Sequence, residues 1–356
     1  MKERIISNCE EIFIKNTIKE NLRIDGRSLD EFRGLEINFG GEFGSVFVSL
    51  GETKVVAQVT CNVTEPKAIR PNEGLLFINV ELGPMASNNY ESKRVSENSI
   101  QLNRILERVF KDSRCVDLES LCILSEEKAW NCRVDINVLN HDGNVIDCAS
   151  VACLAALAHF KRPDVTLSGT NVVVHSFSEK EPIPLVLHHY PVCVSFALFN
   201  NGKLGVADPT SIEECISEAN LVLGINTYKE LCGMHLGGTT LTSSQLLLRC
   251  VNKGAERAKI VVEMIKCAIE KDSDARINGN ISSMSEKIHH RTNALLWKKP
   301  LAIKLRKFQI NINSETNDYT EESKVNLIRE NTAILIPETK STQWIMDSSS
   351  SDEKDV

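Results

Sequence analysis

The sequence predicts an α+β protein made of two related units, each a run of strands closed by a helix. Two clusters of alternating β-branched stretches carry this, one before residue 140 and one after residue 170. Each cluster runs into a helix of apolar or amphipathic pattern, and a proline-containing break, "KRPDVTLSG", parts them. The 356 residues suffice for two cores, and 42% hydrophobic with 25% charged residues is the composition of a soluble globular protein.

The elements follow in order. "MKERIISNCEEIF" is charged, unlike a secretory signal, and opens like an amphipathic helix. "SVFVSLGETKVVAQVTCNV" (45–63) reads as a hairpin about Gly51-Glu52, and "GLLFINVEL" (74–82) as a further strand. After the polar loop 83–98, Leu102, Ile105, Leu106 and Val109 form a helical stripe that Ser96 can cap. In "NCRVDINVL" (131–139), Cys132, Val134, Ile136 and Val138 share one face. "TNVVVHSF", "PVCVSFALF", "KLGVADP" and "ANLVLGIN" are the strands of the second unit. Its long helix is capped by Thr242 or Ser243, with Leu247, Val251, Ala255, Ala258, Val262, Ile265 and Ile269 as its stripe. The expected divisions are 1–30 (helix and extended segment), 31–165, 166–275, a basic helical segment at 276–310, and a disordered acidic tail at 311–356.

Charge is unevenly placed. The tail holds ten acids and four bases, so most of the net −7 lies there and the body is close to neutral. Residues 287–307 carry seven Lys or Arg and no acid, which suits RNA, a partner, a nuclear address or a plain surface helix. Twelve cysteines without a C-x-x-C pair point to reduced core residues rather than to zinc, and no metal is expected. The longest apolar run, Cys148–Phe160, is too short for a membrane span. In the tail, "NTAILIPE" could add a strand to a partner's sheet and "SSSSDE" could be phosphorylated; an inert tail is the plainer reading.

One turn has the form of an anion site. "LNHDGNVIDCASVACLAALAHF" runs a polar glycine turn into a helix, whose free N–H groups favour anions. It supplies Asp142 and Asp147 but no Lys or Arg, so Asp147 is expected to cap the helix instead. His141-Asp142 and His188-His189 are adjacent pairs on strand ends and point apart, which makes them poor metal or acid–base pairs. Asp208 with Glu213-Glu214 is either a carboxylate cluster or an ordinary helix start. No G-x-S-x-G, P-loop or H-E-x-x-H is present. Arg104 and Arg108, four residues apart on one helix face, with Lys93 and Arg94 just before, could hold phosphates of a nucleic acid or simply be solvated.

The runs "LRIDGRSLDEFRGLEINFG", "SLGETKVVAQV", "CVDLESLCILSEEKAWNCRVDINVLNHDGNVIDCASVACLAALAHFKRPDV", "LHHYPVCVSFALFNNGKLGVADPTSIEE" and "GGTTLTSSQLLLRC" resemble the RNase PH-like ring subunits of the eukaryotic RNA exosome. The resemblance spans about residues 5–300. It implies the RNase PH-like fold, with two α+β subdomains per chain and a hexameric ring. Active members degrade RNA from its 3′ end by phosphorolysis and hold phosphate with Asp-Gly-Gly-Thr-Arg-Thr at this turn. Here the turn reads Asp142-Gly143-Asn144-Val145-Ile146-Asp147, and the family's acidic residue, in a Glu-Ala-Asp-Met-Pro run, falls on His189.

The resemblance therefore implies a degenerate phosphate site at Asn144, Val145, Ile146, Asp147 and His189, with no catalytic residue, cofactor or metal. The implied role is a non-catalytic structural and RNA-binding subunit, with Arg104 and Arg108 on the helix that lines the RNA path. It would support 3′–5′ processing of ribosomal RNA and RNA decay, including mRNA decay, in nucleus, nucleolus and cytoplasm. Implied partners are single-stranded RNA, other RNase PH-like subunits, S1/KH cap subunits and associated nucleases, with neither membrane nor DNA. The alternative is a composite phosphorolytic site formed with a neighbouring active-type subunit.

Overall fold

The computed structural model describes residues 6–91, 96–168, 171–177, 179–240, 242–279, 283–285, 302–304, 325–329 and 332–335. Helix α1 (Asn8–Lys19) starts where Ser7 Oγ accepts from the Glu10 N–H at 3.3 Å and Glu10 accepts from the Ser7 N–H at 3.1 Å. Strands β1 (Leu35–Phe39), β2 (Ser45–Leu50) and β3 (Thr53–Thr64) form an antiparallel meander, the last two joined at the expected Gly51-Glu52 turn. After β4 (Leu75–Leu82) comes α2 (Glu97–Glu107), capped by Ser96, whose Oγ accepts from the Ser99 N–H at 3.2 Å. A π-helical turn, Arg108–Asp112, continues it. Strands β5 (Cys122–Leu124) and β6 (Lys128–Asn140) complete the first sheet, ordered β1-β2-β3-β6-β4 with β5 on β6. Among the described strands only β4 pairs in parallel, with β6, and α2 lies in that crossover. Cys132, Val134, Ile136 and Val138 of β6 all point into the core.

Helix α3 (Val145–His159) follows β6, and then four short strands: β7 (Lys161–Arg162), β8 (Val165–Ser168), β9 (Asn171–Val174) and β10 (Ile183–Pro184). The second sheet is ordered β12-β11-β13-β14 and is antiparallel throughout. Its strands are β11 (Val192–Phe199), β12 (Leu204–Ala207), β13 (Ala219–Ile225) and β14 (Leu231–Gly238), with α4 (Ser211–Ile216) between β12 and β13. Helix α5 (Ser244–Ile277) begins at Ser243, whose Oγ accepts from the Leu246 N–H at 3.3 Å. The strand expected to open at His188-His189 starts only at Val192; His188 lies in the connection before it, its N–H donating to the Cys115 carbonyl at 2.8 Å.

Helix α3 organises the core. It packs on β2, β3 and β6 of the first sheet and on β11 of the second, with α5 alongside. Thirteen of its 15 residues are buried, which explains an apolar pattern that runs all the way round. Its small side chains, Ala149, Ala152, Ala155 and Ala156 among them, let both sheets approach. At its C-terminal end His159 Nδ1 accepts from the Gly44 N–H at 3.1 Å, so the proton sits on Nε2, 3.1 Å from Asp272 of α5. Burial pushes the imidazole down to about 4, which keeps it neutral in this role.

A separate unit starts at His289. In it β15 (Ala302–Lys304), β16 (Val325–Arg329) and β17 (Thr332–Leu335) form an antiparallel sheet ordered β15-β17-β16. Two of these strands fall inside the stretch expected to be disordered, and β15 inside the one expected to be helical. "VNLIR" and "TAIL" are short β-branched apolar runs, which favour strands whatever their polar flanks. The remainder of 287–307, and "SSSSDE", lie outside the described residues.

Candidate functional site: a filled anion cradle and a basic helix face

The turn into α3 has the backbone of an anion cradle. Gly143 (φ +84°) and Asn144 (φ +52°) are both left-handed, and α3 begins at Val145 with Asn144 as its cap residue. A Cβ on Gly143 would collide with the Ser211 nitrogen and stand 2.6 Å from the Pro209 carbonyl oxygen, so the chain leading into α4 closes directly over the turn. The Asn144 N–H, which would meet an anion, donates to Glu214 Oε1 of α4 at 2.7 Å. A carboxyl group of the protein itself thus meets the N–H of the cap residue.

Asp147 does not cap the helix, contrary to expectation. It lies in the first turn and points inward, where Oδ2 accepts from the Ser195 N–H at 3.0 Å and from Asn144 Nδ2 at 2.8 Å. Its Oδ1 accepts from Ser195 Oγ at 2.6 Å. The left-handed pair starts the helix three residues earlier, so the carboxylate faces β11 rather than the free N–H groups. Burial pushes Asp147 up to about 7, despite these bonds, and also pushes up Glu214, with Asp147 and Asp208 adding repulsion.

Behind the turn stands a buried ion network. Asp208 (φ +49°) is fully buried and accepts from Arg27 Nη1 at 3.0 Å, Arg33 Nε at 2.9 Å, Arg33 Nη2 at 2.8 Å and Asn144 Nδ2 at 2.7 Å. Burial raises its affinity for a proton, but Arg33 and Asn144 outweigh that and hold it below the usual carboxylate range. Arg33 also donates to the Asp142 carbonyl at 3.0 Å and the Gly143 carbonyl at 3.2 Å. Arg23 forms a bidentate pair with Glu213 at 2.9 and 2.6 Å. Asp208 and Glu213 are thus held by different arginines, and Glu213 serves the helix start as the ordinary reading expected, in a capping box where it accepts from the Thr210 N–H at 2.8 Å. Sequence reasoning singled out none of Arg23, Arg27, Arg33 or Ser195 as site residues. The available signal was weak: "LRIDGRSLDEFRG" sets three arginines among three acids of its own, so its charge alone did not call for carboxylates from elsewhere in the chain.

There is little room left beside Asp147. A void of 20 Å³ touches it, lined by Val151, Val192, Cys193 and Arg257, about enough for one water and too little for phosphate. Val145 is buried and Ile146 packs against the core, so neither reaches toward a ligand. His189 is not brought to this site. Its Nε2 lies 3.1 Å from Ser113 Oγ and its carbonyl accepts from the Cys115 thiol, while the β11 residue that faces Asp147 is Ser195. His141 is drawn toward the turn instead, with Nε2 3.8 Å from Glu214. Among the described residues no group of three or more His, Cys, Asp or Glu could hold a metal ion.

The basic face has the opposite character. Arg104 and Arg108 are both exposed, on the side of α2 away from its buried Leu102, Ile105 and Leu106. Arg108 Nη1 donates to the Met234 carbonyl of β14 at 3.4 Å, and Gln101 meets His235 at 2.8 Å, which aligns this face with β14. The Arg104 guanidinium makes no hydrogen bond or ion pair to a described residue. Lys93 and Arg94 lie outside the described residues.

Comparison with known proteins agrees with this architecture. The first domain of the 3′ exoribonuclease family matches residues 31–163, and its second domain matches residues 189–257. The exosome complex component RRP45 of Danio rerio is 42% identical over 286 residues, 80% of this chain and 73% of the relative. Its namesake in Schizosaccharomyces pombe is 39% identical over 270 residues, 76% of this chain and 92% of the relative. The chain spans 66% of the human protein of that name, at 41% identity. Among solved structures, a chain of the Archaeoglobus fulgidus exosome with RNA bound to the active site superposes with a TM-score of 0.64 at 31% identity, covering 71% of this chain and 96% of that one. With the two-sheet fold and both family domains in place, the chain belongs to the RNase PH-like 3′ exoribonuclease family, in the branch of the exosome component RRP45.

Proposed function

We propose that this chain is a structural, RNA-binding subunit of an exosome ring and performs no phosphorolysis itself. The observation that carries this is the filled cradle: Glu214 sits on the Asn144 N–H, Pro209–Ser211 close over Gly143, and Ile146 stands where an arginine would hold phosphate. Arg104 and Arg108 meet the phosphates of single-stranded RNA, with neighbouring RNase PH-like subunits completing the path. Cap subunits and associated nucleases supply the remaining contacts and the chemistry, in ribosomal RNA maturation and RNA decay, in nucleus, nucleolus and cytoplasm.

The reading is tested by incubating a 3′-tailed RNA with phosphate and following nucleoside diphosphates. The chain alone should release none. Its pair with an active-type subunit should release them at a rate that Ile146→Arg and His189→Asp leave unchanged. Diphosphate release by the isolated chain overturns the proposal. A second check is assembly: the chain should co-purify with other ring subunits and be poorly soluble without them.

A further inference from the structure

A cleft of 760 Å³ opens between the β3–β4 connection and the π-turn after α2, apart from the cradle. Phe77 of β4 lies in its wall with 40% of its surface exposed. Lys67 and Lys111 hold their amines over its ring, 6.0 and 5.6 Å from the centroid. A second cleft of 580 Å³ shares His188 with the first and carries Tyr228, which is 73% exposed. The two clefts thus adjoin at His188, with one partly exposed aromatic ring in each.

The charges in it are unequally engaged. Glu73 is held by Arg70 at 3.0 Å, Asp117 accepts from the Glu119 N–H at 3.1 Å, and Glu230 accepts from Asn226 at 2.8 Å. Lys67 and Arg114 have no ion pair with a described residue, and Lys111 has only a long one, 3.9 Å to Glu107. Asp112 and Glu119 also line the cleft without a side-chain partner, so phosphates are admitted near the amines and repelled elsewhere. Amines beside an exposed ring, as at Phe77, are the pattern of a single-strand site, where bases stack and phosphates find cations; the Tyr228 cleft adds a ring without a Lys or Arg in its lining. Duplex RNA keeps its bases stacked and offers a ring nothing to lie against.

We infer that this joined cleft holds a short stretch of single-stranded RNA, with Phe77 and Tyr228 as stacking platforms and Lys67, Lys111 and Arg114 at the phosphates. The inference rests on the RNA-binding reading above and extends it to another surface. Lys111 follows Arg108 within the same turn, about 5 Å further along the helix, so a strand on Arg104 and Arg108 reaches the cleft without a break.

The test titrates labelled oligo(U) and oligo(A) of about a dozen nucleotides against the chain assembled with the subunits that co-purify with it. Phe77→Ala should weaken both RNAs about tenfold, and Phe77→Trp should keep affinity and gain an RNA-quenched fluorescence. Lys67→Glu with Lys111→Glu should weaken binding and flatten its salt dependence. If those variants bind normally while Arg104→Glu with Arg108→Glu binds poorly, the cleft assignment falls and the RNA reading stands. If no variant changes affinity, the RNA reading falls as well. Should Phe77→Ala instead release the neighbouring subunits, the cleft is a protein contact and the inference is overturned.

Discussion

At the N-terminus of α3, arginines and carboxylates are sealed against one another; along the outer face of α2, arginines stand in water. Arg27 and Arg33 converge on one buried aspartate, Asp208, whereas Arg104 has no partner among the described residues. The difference lies in dielectric. Inside, a guanidinium without a carboxylate is costly, and Arg23, Arg27 and Arg33 each meet one within the chain. Outside, the solvent carries the charge and the side chain stays available to a ligand. The turn into α3 is thus an internal joint, while Arg104 is left in solvent.

Removing the hub should break the comparison most severely. Asp208→Ala leaves Arg27 and Arg33 buried without their carboxylate and should cost ~3–5 kcal/mol, measured by urea denaturation of the assembled protein. A loss below about 1 kcal/mol would mean that water already reaches the network. Gly143→Ala comes next. Its Cβ meets the Pro209–Ser211 backbone and its φ is left-handed, so a loss of ~1–3 kcal/mol is expected in the same assay.

Asp147 separates the two regions by pH. Its folded-state pKa, about 7, lies above the unfolded value, so the stability it allows is complete below about pH 4 and is lost as pH rises through 7. Glu214 acts in the same direction, while the depressed Asp208 contributes above its unfolded pKa and is lost in acid. Asp147→Asn keeps the acceptor for Asn144 and the Ser195 N–H. It should match the parent's Tm at pH 5, exceed it at pH 8 and show a flatter profile between. Equal slopes would place the titration elsewhere. The smallest effect on stability belongs to Arg104→Glu with Arg108→Glu. Thermal unfolding should move by no more than ~0.5 kcal/mol, while RNA binding falls and depends less on salt.

Elements governed by neighbours in sequence were legible. The hairpin at Gly51-Glu52, the Ser96 cap and the inward face of β6 all depend on period and local hydrogen bonding. What escaped was set by distance. Asp147 before an apolar run reads as a cap, yet it answers to Ser195, 48 residues away. The Gly143-Asn144 pair was the missed local clue, because two left-handed residues end a turn and start the helix there. His189 was placed by an acidic motif ahead of a proline, and the strand it was thought to open begins at Val192. The tail was half legible: "NTAILIPE" was read as able to add a strand to a partner's sheet, whereas its Thr332–Leu335 pairs with Val325–Arg329 of the same chain, a run that was passed over.

The arginine clamp also sets a clock. Arg23 lies 190 positions ahead of Glu213, and Arg27 lies 181 ahead of Asp208. At ribosomal speeds of roughly 5–20 residues per second, the arginines wait about 10–40 s before their carboxylates are made. During that interval the first sheet can form, but the segment that joins it to the second cannot dock. Nascent chains arrested short of residue 208 should therefore leave the 23–33 stretch open to trypsin, and chains arrested well beyond residue 214 should protect it. Completion of the joint is in this sense a late checkpoint, passed only when the second sheet has been synthesised.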